Sequence, residues 1–164
     1  MSEIRGDTHA RGRRFAVVAS RFNDVVVRRL VDGALSCLRA KGVAEDQLVL
    51  AWVPGAFELP IVARTVAASG AHDAVICLGA VIRGETPHFD HVAGQAAEGI
   101  RRAAEDTGVP VIFGVVTTDT FEQAMERAGG SHGNKGWDAA MAAMEMVSVM
   151  TAVRDGGTGE GGAR

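Results

Sequence analysis

From Phe15 to Ser20 every position is apolar or small, the pattern of a parallel strand buried on both faces. The period then changes. Val27, Val31, Leu35 and Leu38 recur at helical spacing, and Gly42 stands where a C′ glycine closes a helix. Leu48 to Val53 predicts a second strand, Phe57 to Ser69 a helix ended by Gly70, and Ala74 to Ile82 a third strand. Thr86 suits an N-cap and Pro87 a first helical position, opening a helix to Thr107 with Gly108 and Pro110 as stop signals. Val111 to Val116 predicts the fourth strand. Asp119 with Glu122 has the spacing of a capping box for a short helix to Ala128. A last helix from about Lys135 turns Trp137, Met141, Met144 and Val147 to one apolar side, and the glycine-rich tail from Asp155 is expected to be disordered.

Strands separated by helices require crossover connections, which are right-handed and give a parallel sheet with helices on both faces. The expected fold class is therefore α/β: a three-layer α/β/α sandwich around a four-stranded parallel sheet. It forms one domain over 1–164, with residues 1–13 loose or pairing with a neighbour. Ligands of such sheets gather at the carboxyl ends of the strands, which selects the segments after Ser20, Val53, Ile82 and Val116.

Composition narrows the function classes. A chain of 164 residues with a formal charge of −3 is the size of one domain and lacks the basic stripe of a nucleic-acid binder. Tyr is absent and aromatics are few, so base-stacking platforms are not expected. Cys37 and Cys77 lie in apolar segments and read as reduced core residues. No apolar run is long enough for a bilayer span, and Met1 to Arg5 lack the apolar core of a signal peptide. The expected compartment is the cytoplasm.

Gly84-Glu85-Thr86-Pro87-His88 joins a strand to a helix start, where unpaired amides and the helix dipole favour an anion such as phosphate. Glu85 and Thr86 would act through their backbones, because Pro87 has no amide proton and the Glu85 carboxylate repels phosphate. A plain helix cap is the simpler reading of the same residues. His88 stands beside that anion site, and imidazole is the natural proton shuttle at neutral pH. His88 and His91 are three apart, but a zinc site needs a third ligand that no visible cluster supplies. Arg127 and Lys135 are further candidate cations, and Asp138 is one turn from Lys135, as an ion-pair partner would be. Phe22 covers the core or stacks on a planar ligand, while Asn23 caps the next helix or meets ligand hydroxyls. Pro54-Gly55-Ala56-Phe57-Glu58 offers approachable backbone and a carboxylate. Two pattern matches fail on context. Gly129 to Gly133 fits a nucleophile elbow but lies between helices. Gly157 to Gly162 fits a dinucleotide fingerprint but sits in the tail.

Arg21-Phe22-Asn23, Pro54 to Glu58, Gly79 to Asp90 and Asn134-Lys135-Gly136 occur together in the order of the lumazine synthases, and the chain resembles that family over roughly Phe15 to Val149. The resemblance implies a flavodoxin-like strand order and condensation of 5-amino-6-(D-ribitylamino)uracil with 3,4-dihydroxy-2-butanone 4-phosphate to 6,7-dimethyl-8-ribityllumazine. No metal and no organic cofactor are implied. Phe22 would stack on the pyrimidine, with Asn23 beside it. Ala56, Phe57 and Glu58 would hold the ribityl chain, and Ala80, Val81 and Ile82 would present backbone to the uracil edge. Glu85, Thr86 and Arg127 would bind phosphate, and His88 would shuttle protons. Phe113 and Lys135 would face the ligand, with Phe113 and Arg127 contributed by a neighbouring subunit. The family assembles as pentamers. The short link from Gly129 to Asn134 resembles the subset that closes a 60-mer shell, which leaves open whether a riboflavin synthase is enclosed.

Three other classes compete with this reading. A related pentameric riboflavin synthase would not need the phosphate constellation. A flavodoxin-like flavin carrier would purify yellow, and a phospho-receiver would need acidic residues where Ser20-Arg21-Phe22 stands. An inert shell subunit would have no reason to keep Phe22, His88, Arg127 and Lys135.

Overall fold

A computed structural model describes residues 1–156. The sheet runs β2-β1-β3-β4, all parallel, from β1 (Phe15–Ser20), β2 (Leu48–Val53), β3 (Ala74–Ile82) and β4 (Val111–Thr118). This is the expected three-layer sandwich in flavodoxin-like order. The two central strands, β1 and β3, are buried on both faces, as their unbroken apolar runs require. Their side chains alternate between two cores. Phe15, Val17, Ala19, Ile76 and Leu78 meet helices α1 (Asp24–Ala40) and α5 (Lys135–Arg154). Ala16, Val18, Val75 and Cys77 meet α2 (Leu59–Ala68) and α3 (His88–Thr107). The chain leaves β1 for β2 on one side and later returns to β3 on the other, so the carboxyl ends of β1 and β3 form the topological switch point.

Several boundaries differ from the expected ones. The helix expected from Phe57 starts as a 3₁₀ turn at Ala56–Glu58 and becomes α2 at Leu59. Pro60 has no N–H for the Ala56 carbonyl, so the Leu59 amide closes a shorter ring onto it instead. Strand β4 runs two residues past Val116, because Val81 and Ile82 pair with Thr117 and Thr118. That extension displaces the next cap. The capping box is Thr120 with Gln123, not Asp119 with Glu122, and α4 (Phe121–Glu126) ends before Ala128. Thr86 does not cap α3; Pro87 occupies the N-cap position and no side chain bonds there. The link before α5 is a short antiparallel hairpin, β5 (Ala128–Gly130) with β6 (Gly133–Asn134).

Helix α5 turns the expected Met144 and Val147 inward and packs Met141 against the same core, but not Trp137. Its buried stripe is Gly136, Ala139, Ala140, Ala143, Met144 and Val147, whereas Trp137 is exposed. Small residues let α5 approach α1 closely. A Cβ on Gly136 would lie 2.6 Å from the Leu30 carbonyl carbon, inside any normal contact distance. Gly42 and Gly108 end α1 and α3 in the left-handed region, at φ 90° and 69°, as their placement predicts. The N-terminal segment lies on its own chain: the Asp7 amide donates to Ser148 Oγ at 3.1 Å, and Ala10 is fully buried. The expected tail and the Gly157 to Gly162 pattern fall, from residue 157 on, outside the described residues.

Candidate active site

Three of the four strand ends selected by topology converge. After β1 the Arg21 amide donates to the Val53 carbonyl at 2.8 Å and the Phe22 amide to the Pro54 carbonyl at 3.1 Å. These bonds zip the β1 exit to the β2 exit and place Phe22 and Phe57 at the mouth of one cleft. Asn23 holds the opposite side. Its Nδ2 donates to the Ala80 carbonyl at 2.9 Å, and its backbone sits at φ 60°, a conformation Asn tolerates better than most residues. Its side chain therefore ties β1 to β3 and makes no capping bond to α1.

The cleft has a volume of about 730 Å³, within the range of small-molecule sites. Its lining brings together Phe22, Asn23, Ala56, Phe57, Glu58, Ala80, Val81, Ile82, Thr86 and His88 from the sequence reading. Phe22 is 71 % and Phe57 59 % exposed, apolar surface that a planar ligand or a second copy of the chain would cover. Phe89, His91 and Val92 complete the wall. His91 and Val92 follow His88 at helical spacing on the same α3 face, a signal that the sequence offered. No third His, Cys, Asp or Glu joins His88 and His91 in a metal-binding group among the described residues.

The turn between β3 and α3 is open. Among the described residues the amides of Gly84, Glu85 and Thr86 donate no backbone hydrogen bond, and α3 has no side-chain cap. Unsatisfied donors at the positive end of a 20-residue helix make a ready anion site. Glu85 is exposed and does not line the cleft.

Phe113, Arg127 and Lys135 are elsewhere. They line a separate groove of about 370 Å³ with Asp138. The hairpin sets the two residues side by side, since the Lys135 amide donates to the Arg127 carbonyl at 2.8 Å. Lys135 Nζ lies 3.5 Å from Asp138 Oδ2, the ion pair expected from their spacing, and the Arg127 guanidinium donates to the Gln123 carbonyl at 3.0 Å. Asn134 organises this corner. Its Oδ1 accepts from the Gly136 and Trp137 amides and its Nδ2 donates to the Arg29 carbonyl. It thereby caps α5 and pins it to α1.

The family model described as 6,7-dimethyl-8-ribityllumazine synthase matches residues 12–151. A protein of that name from Desulfatibacillum aliphaticivorans is 53% identical over 146 residues, 89% of this chain and 94% of the relative. Another of that name from Chlorobium phaeobacteroides is 54% identical over 149 residues, 91% of this chain and 96% of the relative.

Proposed function

This chain belongs to the 6,7-dimethyl-8-ribityllumazine synthase family, and on that premise we propose how its own residues divide the work. The enzyme condenses 5-amino-6-(D-ribitylamino)uracil with 3,4-dihydroxy-2-butanone 4-phosphate to 6,7-dimethyl-8-ribityllumazine, phosphate and water, in riboflavin biosynthesis. The pyrimidine lies in the Phe22–Phe57 cleft, stacked on Phe22, with its edge on the backbone of Ala80, Val81 and Ile82. Ala56, Phe57 and Glu58 take the ribityl chain, the Glu58 carboxylate accepting from a hydroxyl. The free amides of Glu85 and Thr86 receive the phosphate of the second substrate. His88, one residue past Pro87, moves protons as the imine forms, phosphate leaves and the ring closes.

An amine and a reactive carbonyl condense unaided, so the larger gain is from holding them together, for which proximity can supply roughly 7–11 kcal/mol. Proton transfer adds about 10²–10⁴-fold. The scheme calls on no metal and no cofactor.

The observation that carries the assembly reading is the division of candidate residues between two surfaces. Phe113, Arg127 and Lys135 share a groove apart from the cleft, and Arg127 also lines a smaller groove with Arg83 and Phe89. A complete site therefore uses one subunit's cleft and a neighbour's groove, and Lys135 travels with Phe113 and Arg127. Exposed Val49, Leu50 and Trp52 on the edge strand β2 favour a subunit contact as well. We take the assembly to be a pentamer, built further into a 60-mer shell that can enclose a riboflavin synthase, in the cytoplasm. The test is absorbance at the lumazine band with both substrates and with each omitted, alongside sedimentation of the active species. Product at the uncatalysed rate sinks the enzyme reading, and an active monomer sinks the shared site.

A further inference from the structure

We propose that Arg83 is a positioning residue of this reaction: its side chain staples the ends of β3 and β4 to the first turn of α3, and so fixes the turn that receives the phosphate. The inference rests on the reading of Gly84 to Pro87 as the phosphate site.

The need for such a staple follows from the turn itself. Gly84, Glu85 and Thr86 make no backbone hydrogen bond through their amides among the described residues, and no side chain caps α3. An anion site has to keep those donors free, so nothing internal can hold the turn in shape. Arg83 does so from outside. Its amide donates to the Thr118 carbonyl at 2.8 Å, extending the β3–β4 ladder one residue past Ile82. Its Nε donates to Asp119 Oδ1 at 2.8 Å, just after β4. A second guanidinium nitrogen lies 3.8 Å from Asp90 in the first turn of α3, and the guanidinium carbon sits 4.6 Å from the centre of the Phe89 ring. One side chain thus touches both ends of the open turn and the strand beside it.

Asp119 is itself held. Its amide donates to Gln123 Oε1 at 2.9 Å, within the α4 capping box. Phe89 belongs both to the cleft and to the small groove that Arg83 lines, so the guanidinium backs a cleft wall from its far side. Each of these contacts is half-exposed and individually weak. Their shared effect is geometric: they set the angle at which α3 presents Thr86, His88 and Phe89. Arginine suits this because a planar fork can stack on a ring while pairing with carboxylates, which a lysine ammonium does less well.

The experiment measures kcat and both KM values for the assembled enzyme and its R83A, R83K and D119N variants. R83A is expected to raise KM for the phosphorylated ketone about ten- to hundredfold, the scale of an ångström-level misplacement. KM for the uracil should rise by no more than about twofold, because its main contacts, Phe22 and the β3 backbone, lie outside α3 and only Phe89 is shared; R83K should fall between the parent and R83A. D119N separates positioning from direct contact. It should also raise the ketone KM, because the staple loosens. A lower ketone KM in D119N would mean that a freed Arg83 binds phosphate directly, and would overturn the proposal. Equal rises in both KM values, or none, would overturn it as well. Inorganic phosphate as an inhibitor of the parent enzyme tests the underlying reading. No competition with the ketone sinks that reading and the staple together; competition with an unaffected R83A sinks the staple alone.

Discussion

Gly136→Ala adds one methyl where two helix backbones nearly touch. The new Cβ would sit 2.6 Å from the Leu30 carbonyl carbon and 2.9 Å from its Cα, with the carbonyl oxygen closer still. Carbon atoms pack at roughly 3.5–4.0 Å, so α5 and α1 must separate by about 1 Å. Both partners are backbone, and no rotamer change relieves the clash. Overpacking of this kind costs about 1–3 kcal/mol or more. Alanine's helix propensity returns at most ~1 kcal/mol, and less here because Gly136 lies in the first turn. The net expectation is a loss of about 2 kcal/mol, which lowers Tm by roughly 4–8 °C for a chain of this size. The shift also carries Lys135 and Asn134 with α5, so activity should fall as well. Thermal melts at fixed protein concentration, with kcat/KM measured below the transition, test both parts. A variant as stable as the parent would show that the α1–α5 contact yields freely, and would refute the reasoning.

Three further outcomes follow from the same geometry. His88→Ala should slow turnover by about 10²–10⁴-fold yet leave lumazine formation above background; complete loss with both substrates still bound would contradict positioning as the larger effect. Cys77 is fully buried, and burial pushes its thiol up to about 12. An unfolded thiol ionises nearer 9, so this contribution is intact below that pH and is lost at up to ~1.4 kcal/mol per unit above it. Urea melts of the parent and Cys77→Ala between neutral and alkaline pH should diverge, and parallel alkaline slopes would dismiss the assignment. Ser20 is buried with no partner for its hydroxyl among the described residues; since an unsatisfied group costs about 1–3 kcal/mol, Ser20→Ala should hold or raise Tm, and a clear drop would reveal a partner that the fold does not otherwise account for.

The apolar runs of β1 and β3 by themselves determined a buried parallel sheet, because only a strand covered on both faces can afford no polar position. Gly42 and Gly108 fixed two helix ends, because the left-handed backbone they adopt is costly for other residues. The strand–helix alternation also placed Phe22, Ala56 and His88 at one edge, since parallel strands deliver their carboxyl ends to the same side. Single-residue register was not written locally. Whether Asp119 or Thr120 caps α4 depended on how far β4 pairs with β3. The α5 face was decided in the same way. Periodicity found Met144 and Val147, and Met141 at their edge, but not the small residues beside them: contact with α1 selects for close approach, which favours Gly136 and Ala140 over the bulk of Trp137. Spacing likewise could not separate Phe113, Arg127 and Lys135 from the cleft, nor disclose that Arg83 reaches Asp119 across 36 positions. Those relations exist only once strands lie side by side, because the chain brings distant residues together through pairing that no local pattern encodes.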